Sequence, residues 1–269
     1  MTRPGGIVPF TERTPRVSAA RKLLRRRYAD AGRRFLAEGP QAVREAITAG
    51  VVVELFGTEE TLGRYGFDAP RVSVVTEAGL ASLSETVQPQ GVVAVCEYVD
   101  VPLTEALVAR PQLVAVLNEI RDPGNAGTVL RTADAAGADA VVFTDASVDP
   151  YNGKCVRSTA GSLFHVDVVR GGSPLGVVTA LKDAGLQVFA TTGYGAESLD
   201  ELGHARLSRP TAWLFGSEAH GLPQELLEAA DARVRVPIHG RAESLNLAAA
   251  AAVCLYSSAS HQRRKEAAS

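Results

Sequence analysis

The stretch LVAVLNEIRDPGNAGTVLRT, residues 113–132, opens with five apolar residues, turns polar at Asn118, and passes through Pro123 and Gly124 into apolar positions at helical spacing. An apolar run this short has the length of a strand buried on both faces, and proline is tolerated in the first turn of a following helix. A strand that ends in a turn and opens a helix is the unit of a parallel sheet, and such sheets bind ligands in the crevice outside their strand ends. Asn118, Asn125 and Arg131 bring more polar chemistry to this turn than its backbone requires. The plain alternative is a connection whose glycines serve backbone geometry alone.

Working outward, the same alternation predicts strands at 113–117, 140–143, 165–169, 187–190, 211–215 and 234–236, with helices at 126–136, 154–162, 174–184, 218–230 and 245–258. Crossovers of this kind demand a mainly parallel sheet covered on both faces. Upstream, a helix at 40–47, strands at 51–56, 72–75 and 91–97, and a helical piece at 58–64 form a smaller α/β series, with Phe35 to Gly39 leading into its first helix. The expected organisation is a basic N-terminal arm over 1–34, a substrate-binding domain over 35–104, a linker over 105–112 and a larger domain over 113–269. Two domains also suit 269 residues, at roughly 100–200 residues per domain.

The net charge of -2 and pI near 6.2 give no global sign of a nucleic-acid partner, but the charge is unevenly placed. Arg13, Arg16, Arg21, Lys22, Arg25, Arg26, Arg27 and Arg33 lie between Arg3 and Arg34, opposed only by Glu12 and Asp30, and Arg263, Arg264 and Lys265 follow near the C-terminus. Arg21, Arg25 and Arg26 are read as phosphate contacts, with a merely solvated helix face as the equal alternative. Cys96, Cys155 and Cys254 lack CxxC spacing and sit in apolar runs, so buried thiols are expected rather than disulfides or zinc ligands. The five histidines show no metal-ligand spacing, and no metal is expected. GxSxG, HExxH, GxGxxG and GK[ST] patterns are absent. No apolar run of about 18 residues or more suggests a membrane span, and a cytoplasmic protein is expected.

Two further segments repeat the strand-to-turn design. In LFGSEAHGLP, residues 214–223, Gly216 and Gly221 would let a ligand approach the backbone, and Glu218 could orient an amide, a guanidinium or a hydroxyl. Alternatively Ser217 and Glu218 only cap the expected helix. In VPIHGRAESLNLA, residues 236–248, Ser244 is a natural cap for a helix beginning near it. Asn246, in the first turn of an otherwise apolar helix, suggests a specific hydrogen-bonding task.

Taken in order, the three segments closely resemble the motifs of the SpoU (TrmH-like) branch of the SPOUT RNA methyltransferases over roughly residues 113–260. FLAEGPQAVREAI and the strands after it resemble, more loosely, a small ribosomal-protein-like RNA-binding domain. The resemblance implies a C-terminal SPOUT domain with a deep trefoil knot that holds S-adenosylmethionine. It also implies a homodimer whose active sites are completed across the subunit interface. By position it implies active-site roles for Asn118, Arg131, Glu218, Ser244 and Asn246, with Asn125 in the same set and toward RNA. Leu214, Gly216, Val236, Ile238, Leu245 and Leu247 fall where the family surrounds the cofactor. Ile238 stands where methionine is frequent, and Leu247-Ala248 replaces a commoner Val-Ser.

The implied reaction is methyl transfer to a ribose 2′-hydroxyl, of ribosomal RNA in preference to transfer RNA. A noncatalytic RNA-binding protein and a methyltransferase acting on a base nitrogen are the rivals. A guanidinium keeps its proton near neutrality, so Arg131 is read as a charged group that holds a phosphate and stabilises a developing alkoxide, its geometry fixed by Asn118 and Glu218. Ser244 and Asn246 are read as holding ribose or cofactor.

Overall fold

The computed structural model describes residues 8–266. Arg3 and the first seven residues of the expected arm, together with residues 267–269, lie outside the described residues, as does the side chain of Lys265. The chain forms two compact units, Met1–Val99 with Tyr151–Phe164, and Asp100–Pro150 with His165–Ser269.

The first unit is built on a four-stranded sheet of β1 (Arg34–Glu38), β2 (Val52–Gly57), β3 (Val72–Val74) and β4 (Val92–Glu97), in the order β1-β4-β2-β3. Only β2 and β3 run parallel. β1 was expected as a lead-in to a helix; it is a strand buried from Phe35 onward. Its carboxylate at Glu38 is tolerated there because Ser84 Oγ and Thr86 Oγ1 each donate to it at 2.6 Å and Arg157 pairs with it at 3.1 Å. A buried charge needs this degree of partnering. Arg157 belongs to Tyr151–Phe164, which also sets Tyr151 against Phe35 at 4.7 Å between ring centroids. The helix expected over 154–162 is Gly153–Thr159, followed by a 3-10 turn at Ser162–Phe164.

Residues of the expected arm form helices Pro15–Arg21 and Arg26–Gly32, and Val17 sits in the unit's core with Phe56, Leu80 and Val93. This part of the chain is integral to the first unit. Arg21, Arg25 and Arg26 face solvent, Arg26 pairing with Asp30 at 3.4 Å.

The second unit carries β5 (Asp100–Val101), β6 (Leu113–Leu117), β7 (Ala140–Phe143), β8 (Asp167–Arg170), β9 (Gln187–Thr191), β10 (Glu197–Ser198), β11 (Thr211–Phe215) and β12 (Ala232–Arg235). They form one sheet in the order β10-β12-β9-β11-β6-β7-β8-β5, every pairing parallel. Every residue of β6, β7 and β11 is buried, as a sheet covered on both faces requires. All six strands expected here occur within a few residues; β5 and β10, two residues each, are the additions. Residues 105–112, expected as a linker, belong to this unit's edge: Ala106 of helix Leu103–Val108 packs into the core, and Asp139 Oδ2 accepts from the amides of Gln112 and Leu113 at 2.6 and 3.0 Å.

The last helix, Leu247–Glu266, buries Ala251, Cys254, Leu255 and Ser258. Its small residues permit close packing, and Trp213 Nε1 donates to Ser258 Oγ at 2.9 Å within the core. All three cysteines are buried thiols. Among the described residues no helix is long and apolar enough to cross a membrane, and no cluster of three His, Cys, Asp or Glu side chains is placed to hold a metal ion.

Candidate active site

β6 and β11 are neighbours in register, Phe215 beside Leu117, so their C-terminal ends emerge together. The Asn118 amide donates to the Phe215 carbonyl at 2.9 Å and closes the pair. After β11 the chain folds back at once. Ser217 and Gly221 exchange backbone hydrogen bonds of 3.1 and 2.9 Å, and Gly221 takes a left-handed φ of +67°. A Cβ on Gly216 would lie 2.3 Å from the Gly221 carbonyl carbon, so only glycine fits. This turn replaces the start of the helix expected over 218–230, which is reduced to Gln224–Ala229. Glu218 therefore is not a helix cap; it projects from the turn.

Beside it, Asp122 caps helix Pro123–Ala136 by accepting from the Gly124 amide at 2.6 Å, which sets Asn125 in the first turn. Asn125 Nδ2 donates to Glu218 Oε1 at 2.9 Å, and Asn246 Nδ2 donates to Asn125 Oδ1 at 3.2 Å. Asn246 is itself held by accepting from the Ala248 amide at 2.9 Å, so it takes the capping role expected of Ser244, and the helix begins at Leu247. The three motif segments thus meet in one hydrogen-bonded chain, Asn246 to Asn125 to Glu218. The first two of these segments line a cleft of about 340 Å³, with Arg121, Asp122 and Asn125 from one and Ser217, Glu218 and Ala219 from the other.

Not every expected residue joins this cluster. Asn118 is fully buried: its Oδ1 accepts from Thr144 Oγ1 at 3.1 Å, and its Nδ2 has no partner among the described residues. With Ser147 Oγ donating to the Leu117 carbonyl at 2.9 Å, it ties the loop after β6 to the loop after β7. In this position it acts as a buried brace, and no hydrogen bond among the described residues links it to Arg131, whose geometry it is read as fixing. Arg131 is exposed and makes no hydrogen bond or ion pair among the described residues, so neither Asn118 nor Glu218 holds it. Six residues along a helix put it roughly 120° around the axis from Asn125. Ser244 is exposed and outside the network. Asn125, expected toward RNA, has both ends of its amide engaged within the cluster.

Of the residues expected around a cofactor, Leu214 is buried in the sheet core and its carbonyl accepts from Thr191 Oγ1 at 2.9 Å. Gly216 serves the turn, Val236 is half-buried, and Ile238 and Leu245 are exposed at 37% and 39%. Leu247 is half-buried at the helix start. Between Pro237 and Leu245 no hydrogen bond ties the chain among the described residues. That loop offers open backbone donors and acceptors beside exposed apolar side chains, the lining an adenine ring and its sugar require. Arg121, Asp122 and Ala219 were not singled out from sequence, and Ser217 only as a helix cap; their signal was adjacency to the polar residues of the same two motifs.

The SpoU rRNA Methylase family model matches residues 112–256, and the MRM3-like substrate binding domain model matches residues 14–94. The 23S rRNA (guanosine(2553)-2′-O)-methyltransferase RlmP of Bacillus subtilis is 38% identical over 224 residues, 82% of this chain and 87% of the relative. An AdoMet-bound rRNA methyltransferase from Sinorhizobium meliloti has a TM-score of 0.81 at 32% identity, covering 96% of this chain and 99% of the other. The SpoU methyltransferase AviRb from Streptomyces viridochromogenes, in complex with AdoMet, has a TM-score of 0.81 at 28% identity, covering 94% and 99%.

Proposed function

The chain belongs to the SpoU rRNA methylase family, and from that premise we propose that it transfers a methyl group from S-adenosylmethionine to a ribose 2′-hydroxyl of ribosomal RNA. The observation that carries this is the hydrogen-bonded chain of Asn246, Asn125 and Glu218, which joins the third motif segment to the two that line the cleft. A binding-only descendant has no need of that assembly.

The Pro237 to Leu245 loop and the turn at Gly216 are the places that would hold S-adenosylmethionine, with Ile238 and Leu245 supplying apolar contact and the open backbone supplying hydrogen bonds. Bound there, it supplies an electrophilic methyl group on a sulfonium. The protein's own work is then positional, and holding the attacking oxygen in line accounts for much of the acceleration. Asn125 fixes one oxygen of Glu218, leaving the other to accept from the ribose hydroxyl. Arg131, as a cation, stabilises the alkoxide character that develops as that hydroxyl passes its proton to the free oxygen of Glu218.

Arg131 lies outside the cluster of its own protomer, which supports a homodimer in which each cluster takes Arg131 from the second copy. A trefoil knot in the second unit and a cytoplasmic, metal-independent enzyme complete the reading. The first unit is the RNA-binding part, its exposed Arg21, Arg25 and Arg26 contacting phosphates.

The test is transfer of labelled methyl from S-adenosylmethionine to separated ribosomal and transfer RNA fractions, followed by nuclease digestion. Label in one 2′-O-methylated nucleotide of ribosomal RNA is expected. Label in transfer RNA alone changes the substrate class, and label on a base nitrogen overturns the reaction.

A further inference from the structure

We propose that Arg121 anchors the phosphodiester adjacent to the target ribose, as a positioning residue for the RNA; this rests on the methyl-transfer reading above. Arg121 lies in the wall of the 340 Å³ cleft with Asn125 and Glu218. It is exposed and makes no ion pair or hydrogen bond among the described residues. The carboxylates beside it have other tasks: Asp122 caps the helix through the Gly124 amide, and Glu218 Oε1 accepts from Asn125. The charge of Arg121 is therefore left for a ligand.

An unpaired arginine on an open surface would mean little, but this one is mounted on fixed backbone. Ile120, just before it, is fully buried, and its carbonyl accepts from the Val148 amide at 2.8 Å. Glu119, one residue earlier, holds a left-handed φ of +55°. Asp122, just after it, is fixed by its cap. Pinning both neighbours fixes the backbone from which the side chain lines the cleft, so less of the chain has to be ordered on binding.

The cleft lining then includes both a planar donor fork and a carboxylate oxygen, the second oxygen of Glu218. In RNA a 2′-hydroxyl donor stands next to the 3′-phosphate acceptor on the same nucleotide, and a guanidinium suits phosphate through paired hydrogen bonds. Glu218 and Arg121 match that pair, and DNA, lacking the hydroxyl, matches only half of it.

The experiment uses the full chain with S-adenosylmethionine and an unmodified 23S rRNA transcript, comparing wild type, Arg121→Ala and Arg121→Lys. For Arg121→Ala, KM for the transcript is expected to rise about tenfold, with a smaller change in kcat. Loss of one phosphate contact is expected to reduce the slope of log KM against log salt by about 0.7. Arg121→Lys should restore the slope but only part of KM, since lysine offers a point charge without the fork. Melting temperature and S-adenosylmethionine affinity should match wild type in both variants.

An active Arg121→Ala enzyme with wild-type KM and salt slope overturns the proposal. So does a KM increase accompanied by lost stability or weakened cofactor binding that lysine does not rescue. If the wild type methylates no ribose of the transcript, the functional reading itself has failed. Filter binding of the same transcript then still tests Arg121, since an unchanged salt slope in Arg121→Ala removes the phosphate contact.

Discussion

Asn246 Nδ2 donates to Asn125 Oδ1 at 3.2 Å, joining residues 121 positions apart and placing the Asn125 amide so that its nitrogen can only turn toward Glu218. An amide with its acceptor committed on one side and its donor on the other has one orientation, so the pair sets the aim of the carboxylate. Asn125→Ala frees Glu218 and is expected to lower kcat about 10²-fold, the usual consequence of misplacing a reacting group by about 1 Å. Asn246→Ala breaks the same chain one link earlier. A double-mutant cycle on methyl transfer should show the two losses to be strongly non-additive. Additive losses would mean that the residues act separately.

Gly216 and Gly240 separate close packing from mere glycine content. A Cβ on Gly216 meets the Gly221 carbonyl carbon at 2.3 Å and the Leu222 nitrogen at 2.5 Å, whereas nothing lies within 4 Å of one on Gly240. Gly216→Ala is expected to cost roughly 1–3 kcal/mol, as overpacking does, and to weaken S-adenosylmethionine binding. Gly240→Ala should melt like wild type. Thermal unfolding and calorimetric titration of both variants check the contrast.

Much of this architecture is legible in sequence because β6 and β7 are continuous apolar runs punctuated by turns, and β9 and β11 are apolar between or after a polar end residue, as a sheet buried on both faces requires. β5 and β10 are too short to leave a pattern, and β1 is masked by Glu38, whose burial depends on partners from 46 to 119 positions away. The candidate site was legible as three segments but not as a cluster. Asn118 and Asn125 are equally polar members of one turn; which of them faces Glu218 is decided by the register of β6 against β11, a long-range fact. Likewise Ser244 and Asn246 are both good caps, and the helix begins at the second because only its amide has Asn125 to meet.

Ser258 tests the core beneath the site. Its Oγ accepts from Trp213 Nε1 at 2.9 Å, with both residues fully buried. Ser258→Ala leaves a buried indole N–H unpaired, for which about 1–3 kcal/mol of stability is expected to be lost. The urea midpoint should fall without a change in m-value.

Asp231 gives stability an acid limb. Burial pushes its carboxyl pKa up, but the Val188 amide donating at 2.8 Å and Lys182 at 2.9 Å more than reverse this, with Arg209 adding to the fall, so it lies below the ordinary value. A carboxyl whose folded-state pKa is depressed contributes stability that is present above its unfolded value, about 3.9, and is lost as pH falls through the folded value. Asp231→Asn should therefore lower the melting temperature at pH 7 and leave the difference from wild type shrinking below about pH 4. A difference constant across that window would show that the carboxylate's charge contributes nothing.

The shared-site reading makes the sharpest demand on Arg131 and Glu218. Within one protomer no hydrogen bond or ion pair among the described residues connects them, and the helix geometry turns Arg131 away from Asn125. If each cluster takes its arginine from the second copy, Arg131→Ala and Glu218→Ala homodimers are both inactive in every site. A heterodimer of the two variants has one site lacking both groups and one site with both. Random reassociation of equal amounts yields homodimers and heterodimers as 1:2:1, so half of the dimers carry one working site of two, and about a quarter of wild-type activity should return on mixing. Sites complete within one protomer would each lack one group in every combination, and unfolding and refolding the mixture would then recover nothing.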